Sequence, residues 1–136
     1  MDLPLHPGPP MLRNLLLASA LLISAHAPLD AAPLPSATVT LTITGTCPGT
    51  MDFTVRGATP SGLVVLVYGG AGSTTRHSNP CNGMTIPLSP VRLGGVLPAS
   101  VSGIAFVSTG IPAGACGKSV AAIDLSTCTS SAPVVL

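Results

Sequence analysis

The run Thr38-Val39-Thr40-Leu41-Thr42-Ile43-Thr44 alternates without a break, with Val39, Leu41 and Ile43 on one side and threonines on the other. That is the period of a half-buried strand. Gly45-Thr46-Cys47-Pro48-Gly49 has turn composition, and Met51, Phe53 and Val55 then alternate with Asp52, Thr54 and Arg56 as a second strand. Beyond the breaker Gly57–Gly62, the stretch Leu63-Val64-Val65-Leu66-Val67-Tyr68 is continuously apolar, as expected of a strand covered on both faces.

A long polar, glycine-rich segment follows from Gly69 to Met84 and contains the tight-turn pair Asn82-Gly83. Short strands are expected at Thr85–Leu88 and Val91–Val96, where Pro87 and Pro90 favour edge positions. Further strands are expected at Ile104–Thr109 and Ser119–Leu125, with a last apolar segment at Val134–Leu136. Lys118–Leu125 carries the alternative of a helix, weighed against by Val120 and Ile123. Seven to eight short strands with frequent turns predict an all-β fold. The expected form is an antiparallel β-sandwich of immunoglobulin-like kind, with a small β-barrel as the alternative.

The first thirty or so residues have a different character. Arg13 stands alone as a Lys or Arg before Arg56, and is followed by the apolar run Leu15–Ile23 and the small-residue pattern Ala25-His26-Ala27. Charge, short apolar run and small residues together are the parts of a cleaved signal helix. The run falls short of the roughly 20 apolar residues needed to span a bilayer. Residues 1–32 are therefore read as signal peptide and leader, and 33–136 as one domain. Met11 is a second reading of the start, and Ala31 or Ala32 alternative cut points. The expected location is secreted, extracellular or periplasmic, with the membrane met only during export.

Export changes the meaning of the four cysteines, Cys47, Cys81, Cys116 and Cys128. An even number in a small exported domain reads as two disulfides, and spacings this wide do not fit a zinc site. If the first three strands form a meander, Cys47 and Cys81 lie at one end, which predicts Cys47–Cys81 and Cys116–Cys128. The second pair flanks a strand of about 20 Å if straight, whereas a disulfide needs Cα atoms within about 7 Å, so the loops must fold back.

Charge narrows the chemistry. The net charge is +1, with no cluster of Lys and Arg, so nucleic acid is not expected as a partner. Gly114-Ala115-Cys116-Gly117-Lys118-Ser119 resembles the end of a phosphate-binding loop, but the required upstream glycine is Pro112, which has no N–H. Gly69-Gly70-Ala71-Gly72-Ser73 misses the dinucleotide spacing. His77, Asp52, Asp124 and the serines hold the letters of a hydrolase triad without a nucleophile elbow. Tyr68, Phe53 and Phe106 are the only aromatics and are expected in the core, which weighs against sugar stacking. Two aspartates do not make a calcium cage. No cofactor and no metal are expected.

Gly45-Thr46-Cys47-Pro48-Gly49 with Gly57-Ala58-Thr59-Pro60, and the closing Cys116-Gly117 with Ala122-Ile123-Asp124-Leu125-Ser126-Thr127-Cys128-Thr129, carry a resemblance. The chain is similar to short exported β-sandwich proteins of unknown function from environmental bacteria. The resemblance implies an immunoglobulin-like fold and a secreted location, and no activity. The expected function is a non-catalytic structural or ligand-binding module whose partner is an extracellular protein or surface polymer. The long loop, with Ser73, Thr74, Arg76, His77, Asn79 and Asn82, is the candidate binding surface and is expected to be replaceable without loss of folding. A small extracellular hydrolase using His77, or a protease inhibitor, is the alternative.

Overall fold

A computed structural model describes residues 38–136. The expected signal peptide, its expected cut sites and the expected boundary at 32/33 lie outside the described residues. The chain is all-β, with strands β1 (Thr40–Gly45), β2 (Gly49–Arg56), β3 (Leu63–Gly69), β4 (Thr74–Thr75), β5 (Thr85–Ile86), β6 (Val91–Pro98), β7 (Ala105–Ile111), β8 (Ser119–Asp124), β9 (Thr129–Ser130) and β10 (Val134–Val135). Six of these have six to eight residues and four have only two, against the seven to eight expected. Among the described residues the only helical segment is one 3-10 turn, Ala113–Ala115. The helix alternative for Lys118–Leu125 gives way to β8.

Every strand pairing is antiparallel. One sheet has the order β1-β2-β7, the second β10-β8-β3-β6 with β9 beside β8, and β4 and β5 make a separate hairpin. No sheet closes, so the barrel alternative falls.

The first sheet obeys the alternation of its sequence. Leu41 lies opposite Val55, Ile43 opposite Phe53, and Phe53 in turn opposite Val107. Directly opposed residues share a face, so these side chains point together into one core. They meet Val64, Leu66, Val120 and Ala122 from the second sheet. The other face of β1 and β2 carries Thr40, Thr42, Thr44, Thr54 and Arg56 and has no covering layer among the described residues.

The second sheet is apolar on both sides. In β3, Val64 and Leu66 enter the shared core, while Val65 and Val67 point the opposite way with Ala121 and Ile123 of β8. Two central strands of this kind leave an apolar outer face that water would otherwise wet. The β4–β5 segment covers it. Ile86 and Leu88 are buried against Val65, Val67, Ala121 and Ile123, with Met84, Val91 and Leu125 packed around them. The segment is thus a third layer. It lies so close to the sheet that a Cβ on Gly69 would collide with the Pro90 carbonyl oxygen. The loop expected to be replaceable, Gly69–Met84, contributes Met84 and the bridged Cys81 to this layer, while Ile86 and Leu88 lie just beyond it.

All four cysteines are paired, but not as expected: Cys47 joins Cys116 and Cys81 joins Cys128. The meander assumption failed because the chain crosses between sheets from β2 to β3. The β2–β7 register sets Gly49 opposite Ile111, which brings the turns holding Cys47 and Cys116 to one end of the first sheet. Cys81 sits instead in the covering hairpin, above the β8–β9 turn that holds Cys128. Extended β8 keeps Cys116 and Cys128 at its opposite ends, so no loop folds back. Two disulfides fit an oxidising compartment, and no described helix is long and apolar enough to cross a membrane.

Two variants test the third layer. Leu88→Ala removes a fully buried side chain and should cost about 3 kcal/mol in urea unfolding. The pair Cys81→Ser with Cys128→Ser opens a loop of 47 residues and should cost about 2–4 kcal/mol. Hydrogen exchange should then accelerate first on the outer-face strands β3 and β8. Unchanged protection there would show that the hairpin is not a structural layer.

Candidate functional site

The six polar residues of the long loop are ordered by the hairpin that holds them. The Thr74 hydroxyl donates to the Leu88 carbonyl at 2.8 Å. The Arg76 guanidinium turns back on its own loop, donating to the carbonyls of Ser78 and Asn79 at 3.0 and 3.2 Å. Its backbone is tied as well, with the Arg76 N–H on Met84 and the Gly83 N–H on Arg76. Ser73, His77, Asn79 and Asn82 are exposed along the same segment. Thr74 and Arg76 therefore have a structural task, and the other four form a polar rim.

The letters of a hydrolase triad are not brought together. Asp52 lies on the uncovered face of the first sheet, opposite Thr44 and Ser108. His77 lies in the hairpin that covers the outer face of the second sheet. Asp124 is only 1 % exposed and fully engaged. One of its carboxylate oxygens accepts from the Thr59 N–H and the Thr59 hydroxyl, each at 2.7 Å, and the other from the Ser126 N–H at 2.8 Å. It ties the β2–β3 connection to the turn after β8. Burial alone would raise its pKa. The bonds from Thr59, Ser126 and Thr127 outweigh that and hold the carboxyl below its ordinary value of 3.8. A depression of about 380 Å³ adjoins it, lined by Gly57, Pro60, Thr127 and Thr129. With both oxygens accepting internal bonds, the carboxylate serves as a clamp.

The Gly-Lys-Ser sequence is likewise structural. The 3-10 turn and the Cys47–Cys116 bridge shape this loop, and a strand rather than a helix follows. Helix N–H groups that would hold a phosphate are therefore missing at that point.

The feature that composition and motifs did not announce is a cleft of about 360 Å³ between the two sheets. Its walls are Phe53, Val107 and Ile111 on one side and Leu66, Tyr68 and Leu97 on the other, with Val120 and Leu136 also lining it. It is lined by residues of β6 and β7, the terminal strands of their separate sheets, which do not pair with each other. Among the described residues each of them pairs on one side only, so each brings to its other side a row of backbone N–H and C=O groups that no described strand pairs. The opening follows from Gly94 and Gly95. Gly95 lies opposite Leu66, facing inward, where a side chain would fill the space and none exists. The ladder shifts register between Leu66 and Val67, a bulge accommodated by Gly94. A glycine pair inside an apolar strand was the available signal.

Phe106 also corrects the expectation of burial. Ala105 lies opposite Val55 and Val107 opposite Phe53, so both point into the core and Phe106 between them points out, 59 % exposed. Phe53 is buried and Tyr68 half-buried beside the cleft. Leu93 and Val96 of β6 are exposed too, at 66 % and 52 %. Leu93 and Val96 lie opposite Val67 and Val65, so they and Phe106 point to the outer faces of their sheets, away from the cleft.

Comparison with protein-family models, with curated proteins and with solved structures gives no match to this chain. What it can do rests on its own geometry.

The Asp124 clamp has a pH signature. A folded pKa below the ordinary one means that its stabilisation is complete above the unfolded value of 3.8 and is lost as pH falls through the folded value. Asp124→Asn should cost about 2–3 kcal/mol at pH 7, since it leaves the Thr59 and Ser126 donors poorly matched in a buried site. The difference in Tm between the two proteins should shrink as melts are taken from pH 6 down to pH 2. A gap that stays constant over that range would remove the carboxylate from this role.

Proposed function

We propose that this protein is an exported, non-catalytic binding module of immunoglobulin-like type that receives an extended polypeptide strand at the free edge of β7. The observation that carries the reading is the apolar cleft bounded by two free strand edges. Strand addition uses both parts of such a site: backbone groups of the edge give affinity, and the cleft takes alternate side chains of the guest. Of the two edges, β7 is the more receptive. It runs seven residues with no bulge, proline or charge, whereas β6 is broken at Gly94 and ends on Pro98. A guest beside β7 sets every second side chain over the cleft mouth, next to inward-facing Val107 and Thr109.

The sheet order supports the immunoglobulin-like reading. The order β1-β2-β7 facing β10-β8-β3-β6 is that of a seven-stranded Greek-key sandwich in which the fourth strand joins the second sheet. In the constant type that strand sits beside the equivalent of β7, which is the position left open here. The apolar N-terminal run with Arg13, together with two disulfides, supports secretion. A hydrophobic ligand such as an acyl chain would use the cleft but leave the strand edges unsatisfied.

The test separates these chemistries. An eight-residue peptide alternating valine and threonine is titrated into the isotope-labelled protein, and lauric acid into a second sample. The peptide should shift the amides of 105–111 together with Gly94 and Gly95. Gly95→Val should weaken peptide binding about tenfold or more. It should leave Tm unchanged or raised, because a Cβ there meets nothing within 4 Å and the backbone does not need glycine. Shifts produced by lauric acid alone would overturn strand addition.

A further inference from the structure

Resting on the strand-addition reading, we infer that the strand received at β7 is β7 of a second copy, so that the protein is a two-fold dimer with a continuous sheet β1-β2-β7 running into its mate.

The strand is complementary to itself. In an antiparallel pair, directly opposed residues must share a face, so a symmetric pair of unbulged strands centres on a single residue. The midpoint of Ala105–Ile111 is Ser108, and centring there pairs the whole strand without overhang. Outward-facing Phe106 then lies over Gly110 of the other copy, and Ser108 meets its own equivalent. On the inward face Val107 lies opposite Thr109. Each match is chemically favourable. An exposed aromatic ring covers a glycine that offers no side chain of its own, and opposed hydroxyl side chains hydrogen-bond. Centring instead on Thr109 would set Phe106 against Pro112, which has no N–H to offer.

Electrostatics and the cleft agree with this pairing. β7 contains no charged residue, and the chain as a whole carries +1, so two copies approach with little repulsion. A two-fold axis perpendicular to the joined sheet keeps both second sheets on one side of it. The two clefts, each opening beside its own β7, then face one another across the axis. Apolar surface that is wet in the single chain becomes mutually covered, and the contact is isologous and closed, which ends growth at two copies.

Sedimentation equilibrium and chemical cross-linking decide the matter. The wild-type protein should sediment as a dimer. Ser108→Lys sets two ammonium groups opposite each other and should weaken self-association roughly tenfold or more, with Tm of the single chain unchanged. Ser108→Cys should form an intermolecular disulfide on mild oxidation, because self-paired residues bring Cα atoms within about 5.5 Å. Thr42→Cys, exposed on the same face but on β1, should not cross-link faster than chance collision. A monomer at high concentration, or equal cross-linking of the two cysteine variants, overturns the dimer. If the valine–threonine peptide still shifts β7 in that monomer, strand addition stands and the guest is a different protein. If the peptide also fails, both conclusions fall together.

Discussion

The structure turns on one constraint: β3 and β8 are apolar on both faces, so their sheet must be covered twice. Val64, Leu66, Val120 and Ala122 demand one cover, and Val65, Val67, Ala121 and Ile123 demand another. The first sheet supplies one through Phe53, Val55 and Leu41. Among the described residues no further full sheet covers the other, and the need is met by a short hairpin segment carrying Ile86 and Leu88. A two-residue ladder is far too weak to hold itself on a surface by backbone bonding. Its position therefore depends on buried apolar contact and on the Cys81–Cys128 bridge.

The remaining ties can be read in the same light. Cys47–Cys116 fixes one end of the first sheet to the loop that feeds β8. Asp124, at the end of β8, holds the β2–β3 crossover through Thr59. Each links an element of one layer to an element of the next. A small domain whose layers are joined at so few points gains most from links that limit the unfolded chain and satisfy buried polar groups in the folded one.

Much of this was legible in residue order, and the reasons differ from case to case. The alternation of Thr38–Thr44 and the continuous run Leu63–Tyr68 specified a half-buried and a doubly buried strand, because side-chain period is a local property. Disulfide pairing was not local. It depended on β3 leaving the first sheet, and nothing in the sequence between Gly57 and Gly62 states which sheet the next strand joins. Gly69–Met84 read as a free loop because polar turn residues dominate it, while the residues that bury it, Ile86 and Leu88, come after a short gap. Phe106 was misplaced by a general rule about aromatics, although its own neighbours Ala105 and Val107 carry the parity that turns it outward. The cleft was the least legible feature, since it is made by side chains that Gly94 and Gly95 lack.

The open edge of β7 follows from the same doubly buried strand that governs the rest. An apolar strand such as β3 needs a neighbour on each edge as well as a cover on each face, or its backbone groups are left beside a greasy surface with no partner. β8 takes one edge, and β6 is the strand available for the other. Placing β6 there removes it from the position beside β7, where it could have extended the first sheet. One strand cannot serve both sites. The bulge at Gly94 lets β6 follow β3 while its inward side is bare at Gly95, and the space that this leaves is the cleft. β7 is therefore exposed as a consequence of protecting β3, and its freedom from charge, proline and bulge means that nothing in its sequence opposes a strand from outside.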